Sequence, residues 1–95
     1  MLHTLSRSPY QCDLTTLLRL ISADDDLLLI QDGVLAAIAG STVSKVLSEQ
    51  GITCYVLRED VMARGLTAQL AESVILTDYS GFVGLTVRHQ QHMAW

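Results

Sequence analysis

Two cysteines, Cys12 and Cys54, are the side chains in this sequence best suited to covalent chemistry. Sulfur chemistry needs a thiolate that a helix terminus or a cation stabilises and that a substrate can reach. Cys12 comes just before a predicted helix and close to Arg7, which makes it the one candidate catalytic residue. Asp13 beside it opposes ionisation, so we interpret Cys12 as a small loop residue and predict no catalytic residue, with a reactive Cys12 as the alternative. Cys54 falls within a predicted buried strand, where a free thiol packs as a small apolar group.

The histidines do not form a recognisable metal or catalytic set. His89 and His92 are three residues apart near the end of the predicted last helix, a spacing that can place two imidazoles on one metal. No third ligand accompanies them, so we expect a solvent-exposed helix end and no metal site. His3 falls in the first predicted strand, where we expect a buried core or interface residue rather than a catalytic base.

Several carboxylates are predicted to follow strands and so to gather at the carboxyl edge of a sheet: Asp32, Glu59, Asp60 and Asp78. Oxygen ligands at such an edge can bind Mg²⁺, as in phospho-accepting receiver domains. A receiver also needs acidic residues directly after its first strand and a lysine late in the chain. Here the first predicted strand ends in Ser6 and Arg7, and the only lysine is Lys45. We therefore interpret the carboxylates as helix caps and first-turn residues.

No pattern in the sequence predicts a cofactor. The first predicted strand-to-helix loop, residues 6–9, has no glycine that would let the backbone approach a phosphate. No glycine-flanked nucleophile supports a Ser/His/Asp hydrolase. The basic residues are scattered and the net charge is −4, so we do not expect the chain to bind nucleic acid by itself.

Apolar segments separated by turn signals predict strands over residues 2–5, 27–30, 52–57 and 74–77, and the tail to Trp95 is a candidate edge strand. Segments of helical periodicity lie between them, with Asp13, Ser41 and Asp78 placed to cap helices. Strands that alternate with helices are typical of a parallel sheet. We predict an α/β fold in which residues 1–95 form a single domain. This is a small three-layer sandwich, with a mostly parallel sheet of four to five strands and helices on both faces.

The composition is unusually apolar for so short a chain. Hydrophobic residues make up 49% and charged residues 17% of the 95 positions, whereas soluble domains carry about 25% charged residues. No apolar run approaches the ~20 residues of a membrane-spanning helix, and the first residues lack the pattern of a secretory signal. We therefore expect a cytoplasmic protein with reduced cysteines and no membrane partner. The apolar surplus predicts a subunit interface.

Four segments in order, including both ends of the sequence, carry a resemblance to a known family. They read MLHTLSRSP (1–9), LLIQDGV (28–34), EDVMARGLT (59–67) and LTVRH with MAW (85–89 and 93–95). On these segments the chain resembles the TusB/DsrH family over essentially its full length.

This resemblance implies a DsrE-like fold and a place in a cytoplasmic sulfur relay that passes persulfide sulfur toward 2-thiolation of the wobble uridine of tRNA. It also implies a heterohexamer with TusC and TusD, two copies of each subunit, a TusE-like acceptor, and only indirect contact with tRNA. The relay thiol of that complex belongs to TusD.

Some DsrH relatives carry a cysteine late in the first helix, where this sequence reads Leu17-Leu18-Arg19-Leu20. Cys12 does not match that position. We therefore predict a non-catalytic structural subunit. The alternatives left open are an autonomous persulfide carrier that uses Cys12 and a small-ligand-binding α/β module.

Overall fold

A computed structural model describes all of residues 1–95 and contains one five-stranded parallel sheet. The strands are β1 (Leu2–Leu5), β2 (Asp26–Leu29), β3 (Thr53–Leu57), β4 (Ile75–Thr77) and β5 (His92–Ala94). Their spatial order is β4-β3-β2-β1-β5, and every neighbouring pair is parallel. The predicted α/β fold is therefore confirmed, and the tail to Trp95 does supply the fifth, edge strand.

Helical segments connect the strands. They are α1 (Leu14–Leu20), α2 (Thr42–Glu49), α3 (Arg58–Ala63) and α4 (Tyr79–Arg88), with short 3₁₀ helices at Gln31–Ala37 and Thr67–Gln69. Asp13, Ser41 and Asp78 each accept a hydrogen bond from a backbone N–H in the first turn of the following helix, as predicted. None of these helices reaches the length and apolarity needed to span a membrane.

The strand order decides which face of the sheet each helix covers. From β1 to β4 the chain steps across the sheet in one direction, and right-handed crossovers then place α1, α2 and α3 on one face. The connection from β4 to β5 runs back across the sheet, so α4 lies on the opposite face. The predicted three layers are present, with three helices on one side and a single helix on the other.

The two faces carry separate hydrophobic cores. The larger core joins α1, α2 and α3 to alternate strand residues, among them Leu5, Leu27, Leu29, Cys54 and Val56. The smaller core, under α4, contains Leu2, Leu28 and Leu85, with Phe82 and Tyr55 packed against it. We call the face of the sheet under α1, α2 and α3 the main face, and the face under α4 the α4 face.

The sheet is less covered than the apolar strand pattern indicates. Ile75 and Leu76 of β4 point to opposite faces, and each is 46% exposed, because β4 is an edge strand with no helix beyond it. On α4 the outward side chains Tyr79, Val83 and Val87 are also exposed. The predicted fourth strand is present, but as an edge strand it is only partly covered on both sides.

Gly33 lets the chain that follows β2 pass directly against the end of β1. A Cβ atom at this position would lie 2.0 Å from the carbonyl oxygen of Leu5. That oxygen already accepts the N–H of Ile30 at 3.0 Å, so it is held by the sheet and cannot move aside freely.

We expect Gly33→Ala to lower the free energy of unfolding in urea by about 1–3 kcal/mol, the usual cost of forcing an extra carbon into a packed site. Gly84→Ala is the matched control, because a Cβ there meets no atom within 4 Å. Its helix propensity raises stability by up to about 1 kcal/mol. Equal unfolding midpoints for Gly33→Ala and the unchanged chain would contradict the close approach.

Candidate functional site

Cys12 lies in the loop between β1 and α1, at the carboxyl edge of the sheet, and its thiol is free. Partial burial raises the pKa of this thiol above its ordinary value; the charge of Arg7 lowers it and that of Asp13 raises it further. Cys54 is buried in β3, as predicted, and burial raises the pKa of its thiol to about 12. The surroundings of both cysteines therefore favour the thiol over the thiolate.

Three of the carboxylates at the carboxyl edge pair with arginines, and Asp32 and Asp60 share Arg64. Asp78 caps α4 and lies 3.5 Å from the guanidinium of Arg58. Asp32 accepts two hydrogen bonds from Arg64, at 3.1 and 2.9 Å. No three His, Cys, Asp or Glu side chains converge in a group that could hold a metal ion.

Asp60 stabilises the one non-glycine residue with positive φ. Its carboxylate accepts the backbone N–H of Gln31 at 2.7 Å, and Gln31 has a φ of 51°. This conformation turns the chain out of β2 and into the 3₁₀ segment that packs on β1. The carboxylate therefore supports the close approach at Gly33.

An apolar groove of about 500 Å³ lies beside the loop that carries Cys12. Pro9, Leu14 and Leu18 line one wall and Val43 and Val46 of α2 line the other. No charged side chain contributes to the groove, and Cys12 does not line it. The groove therefore offers hydroxyl groups, from Tyr10, Thr15, Ser41 and Thr42, but no cation that would pair with a phosphate or a carboxylate.

The best-connected polar cluster lies at the opposite, amino edge of the sheet, on the main face. His3 is 1% exposed, and its Nε2 lies 3.0 Å from a carboxylate oxygen of Asp25. Its Nδ1 lies 3.1 Å from the indole nitrogen of Trp95. The burial expected for His3 is confirmed.

The carboxylate of Asp25 has three hydrogen-bond partners. Besides His3, it accepts the backbone N–H of Ser22 at 3.1 Å and the α-amino group of Met1 at 3.0 Å. Burial by itself would raise the pKa of Asp25. The hydrogen bonds from Ser22, Met1 and His3, together with the charge of the Met1 amine, outweigh burial and lower this pKa to about 2.

A second Asp–His pair lies on the α4 face. Asp26 accepts from Nη2 of Arg88 at 2.8 Å and lies 2.7 Å from Nε2 of His89. Tyr55 completes the cluster, with its hydroxyl 3.5 Å from the same guanidinium nitrogen. The pairing ties the end of α4 to the first residue of β2.

The two late histidines differ from their predicted positions. His92 lies in β5, because α4 ends at Arg88, and its Nε2 contacts the carbonyl oxygens of Thr86 and His89. The solvent exposure predicted for His89 is wrong, because its side chain is 13% exposed and paired with Asp26. The helix ends at Arg88, and the chain then turns so that residues 92–94 pair with β1.

The sequence contained a signal for both pairs that the prediction did not use. Three consecutive aspartates, Asp24, Asp25 and Asp26, precede the second strand. Successive residues at a strand start point to opposite faces, so Asp25 and Asp26 meet different histidines. Their partners, His3, His89 and Trp95, are far away in the chain, and only the strand order brings them close.

The family model described as DsrH like protein matches residues 7–92. The chain is 50% identical over 95 residues to Protein TusB of Yersinia pestis (strain Pestoides F) and of Yersinia pseudotuberculosis serotype O:1b (strain IP 31758), covering 100% of each chain. The chain belongs to the DsrH family. The resemblance to the TusB/DsrH family is thereby confirmed.

Solved structures bear out the fold of this DsrH-family chain. The ychN protein from E. coli superposes with a TM-score of 0.80 at 18% identity, covering 99% of this chain and 97% of the other. Protein Tm0979 from Thermotoga maritima gives a TM-score of 0.68 at 25% identity, covering 96% and 97%. The predicted DsrE-like α/β fold is confirmed.

The lowered pKa of Asp25 predicts the pH dependence of stability. Because the folded pKa is about 2 and lies below the ordinary value, the carboxylate stabilises the fold fully above about pH 4 and this contribution is lost as the pH falls toward 2. We expect Asp25→Asn to lower the free energy of unfolding at pH 7 by about 1–3 kcal/mol. The difference from the unchanged chain should shrink between about pH 4 and pH 2.

Urea unfolding over this pH range measures the effect. The control is Asp24→Asn, which removes the neighbouring exposed carboxylate. If the two variants lose the same stability at every pH, the Asp25 network is not stabilising the fold.

Proposed function

We propose that this chain is a non-catalytic structural subunit of a cytoplasmic sulfur-relay complex that passes persulfide sulfur toward 2-thiolation of the wobble uridine of tRNA. Membership of the DsrH family and full-length identity to proteins named TusB support the sulfur-relay part of the proposal. The non-catalytic part is supported by the raised pKa values of the two thiols, Cys12 and Cys54.

Persulfide relay proceeds by attack of a thiolate on the outer sulfur of a donor persulfide, so the receiving cysteine must ionise near neutral pH. Cys54 is only 4% exposed, and this burial raises the pKa of its thiol to about 12. The pKa of Cys12 is also raised, by burial first and then by Asp13. A complex built with this chain therefore needs its relay thiol from another subunit, which we assign to TusD.

The surface supports a role in contact with partners. The outward side of α4 carries Tyr79, Val83 and Val87, which are 67%, 46% and 79% exposed. A helix that is apolar on its outer as well as its inner side is ordinarily buried in a larger assembly. We propose that homologous subunits, TusC and TusD, cover this side of α4 in a heterohexamer with two copies of each chain.

The net charge of the chain bears on its contact with tRNA. The net charge of −4, without a clustered basic surface, gives no site for a phosphate backbone. We therefore propose that the chain meets tRNA only indirectly. On the family resemblance, we also propose that sulfur leaves the complex through a TusE-like acceptor bound near the relay thiol of another subunit.

The test is the variant Cys12→Ser, co-expressed with TusC and TusD in cells that lack the native chain. Because the thiol is not activated, we expect the three proteins to co-purify and the 2-thiouridine content of tRNA to remain at the level of the unchanged chain. Nucleoside mass spectrometry of tRNA measures the content, and size-exclusion chromatography measures the complex.

The control is replacement of the relay cysteine of TusD by serine, which should abolish 2-thiouridine while the complex persists. Loss of 2-thiouridine in Cys12→Ser with an intact complex would instead assign the autonomous carrier role to Cys12. Failure of the unchanged chain to co-purify with either partner would overturn the subunit role itself.

A further inference from the structure

We propose that His3 is a pH-sensitive latch. While neutral it holds Trp95, and with it strand β5, against β1; when protonated it releases them. This inference concerns the isolated chain and does not rest on the sulfur-relay proposal.

The hydrogen bonds of the ring define its tautomer. The indole Nε1–H of Trp95 can only donate, so Nδ1 of His3, 3.1 Å away, must be the acceptor. The single ring proton of neutral His3 is then on Nε2, where it is donated to Asp25 at 3.0 Å. Both ring nitrogens are thus used, in a site where the side chain is 1% exposed.

Protonation changes the contact on one side only. The second proton must go to Nδ1, which places an N–H opposite the indole N–H of Trp95, two donors with no acceptor between them. The bond to Asp25 persists, because Nε2 remains a donor. A buried donor without a partner is unfavourable, and the group free to move away is the indole.

Trp95 is the residue through which β5 is anchored. Its indole lies against His3, with ring centroids 6.3 Å apart and planes at 25°, and packs on the main core. Its backbone N–H donates to Thr4 at 2.8 Å. By contrast, all three residues of β5 are exposed, and the strand pairs with β1 alone. Release of the indole therefore removes the main buried contact of this strand.

Other titratable groups do not account for the same effect. The titratable groups on the elements around the ring are Asp24, Asp25, the α-amino group of Met1, Arg19 of α1, Cys54 of β3 and His92 of β5. Nε2 of His92 contacts the carbonyl oxygens of Thr86 and His89 and not the ring of His3. Asp25, with a pKa of about 2, stays ionised through the range in which histidine titrates. The Met1 amine bonds to the carboxylate of Asp25 and not to the ring. The cross-strand neighbours Leu27 and Met93 carry no charge.

Trp95 is the only tryptophan of the chain, so its fluorescence reports the latch directly. We expect acrylamide quenching of Trp95 to rise roughly twofold or more as the pH falls from about 8 to about 5, while far-UV circular dichroism shows the helices intact. An NMR titration of the His3 ring protons should give the same midpoint as the quenching.

Two variants assign the transition to one ring. His3→Asn keeps a side-chain oxygen that can accept from the indole but cannot be protonated, so its quenching should stay low across the range. His92→Asn, which removes an exposed histidine that does not contact Trp95, should keep the full transition. The latch is overturned if Trp95 remains equally shielded while His3 titrates, or if the transition persists in His3→Asn or disappears in His92→Asn.

Discussion

The strand order β4-β3-β2-β1-β5 is the constraint on which the rest of this structure depends. Because right-handed crossovers follow the direction of each step, three helices lie on one face and α4 alone on the other. Part of the apolar surplus of the sequence is buried in the main core. A further part is left on the outer side of α4 and on the edge strand β4, where no element of this chain covers it.

The same strand order places different sets of polar and ionisable groups at the two edges of the sheet. The carboxyl edge, where ligands of α/β proteins usually bind, holds a loop with a thiol whose pKa is raised, carboxylates paired with arginines, and an uncharged groove. The amino edge holds two Asp–His pairs, largely shielded from solvent, that join distant parts of the chain. The polar groups at the amino edge thus hold distant parts of the scaffold together.

Local patterns predicted much of the fold, because strand propensity, helix periodicity and caps such as Asp13 and Ser41 act over a few residues. The placement of His92 could not be predicted in this way, since the end of α4 depends on the path of the tail to the β1 edge. In the Asp25–His3–Trp95 cluster, the run of aspartates before β2 is a local signal for Asp25 alone. His3 and Trp95 lie far from it in sequence, and no local pattern identifies them as its partners. Exposure of β4 likewise follows from its place in the sheet rather than from its apolar composition.

Hydrogen exchange of the backbone amides, measured for the chain alone and in complex with TusC and TusD, tests the central claim most directly. Amides of the exposed helix α4 should exchange markedly more slowly in the complex, because partners bury its apolar side, while those of α1 should change little. Unchanged exchange throughout α4 in a complex that has demonstrably formed would contradict the assignment of this face to subunit contact.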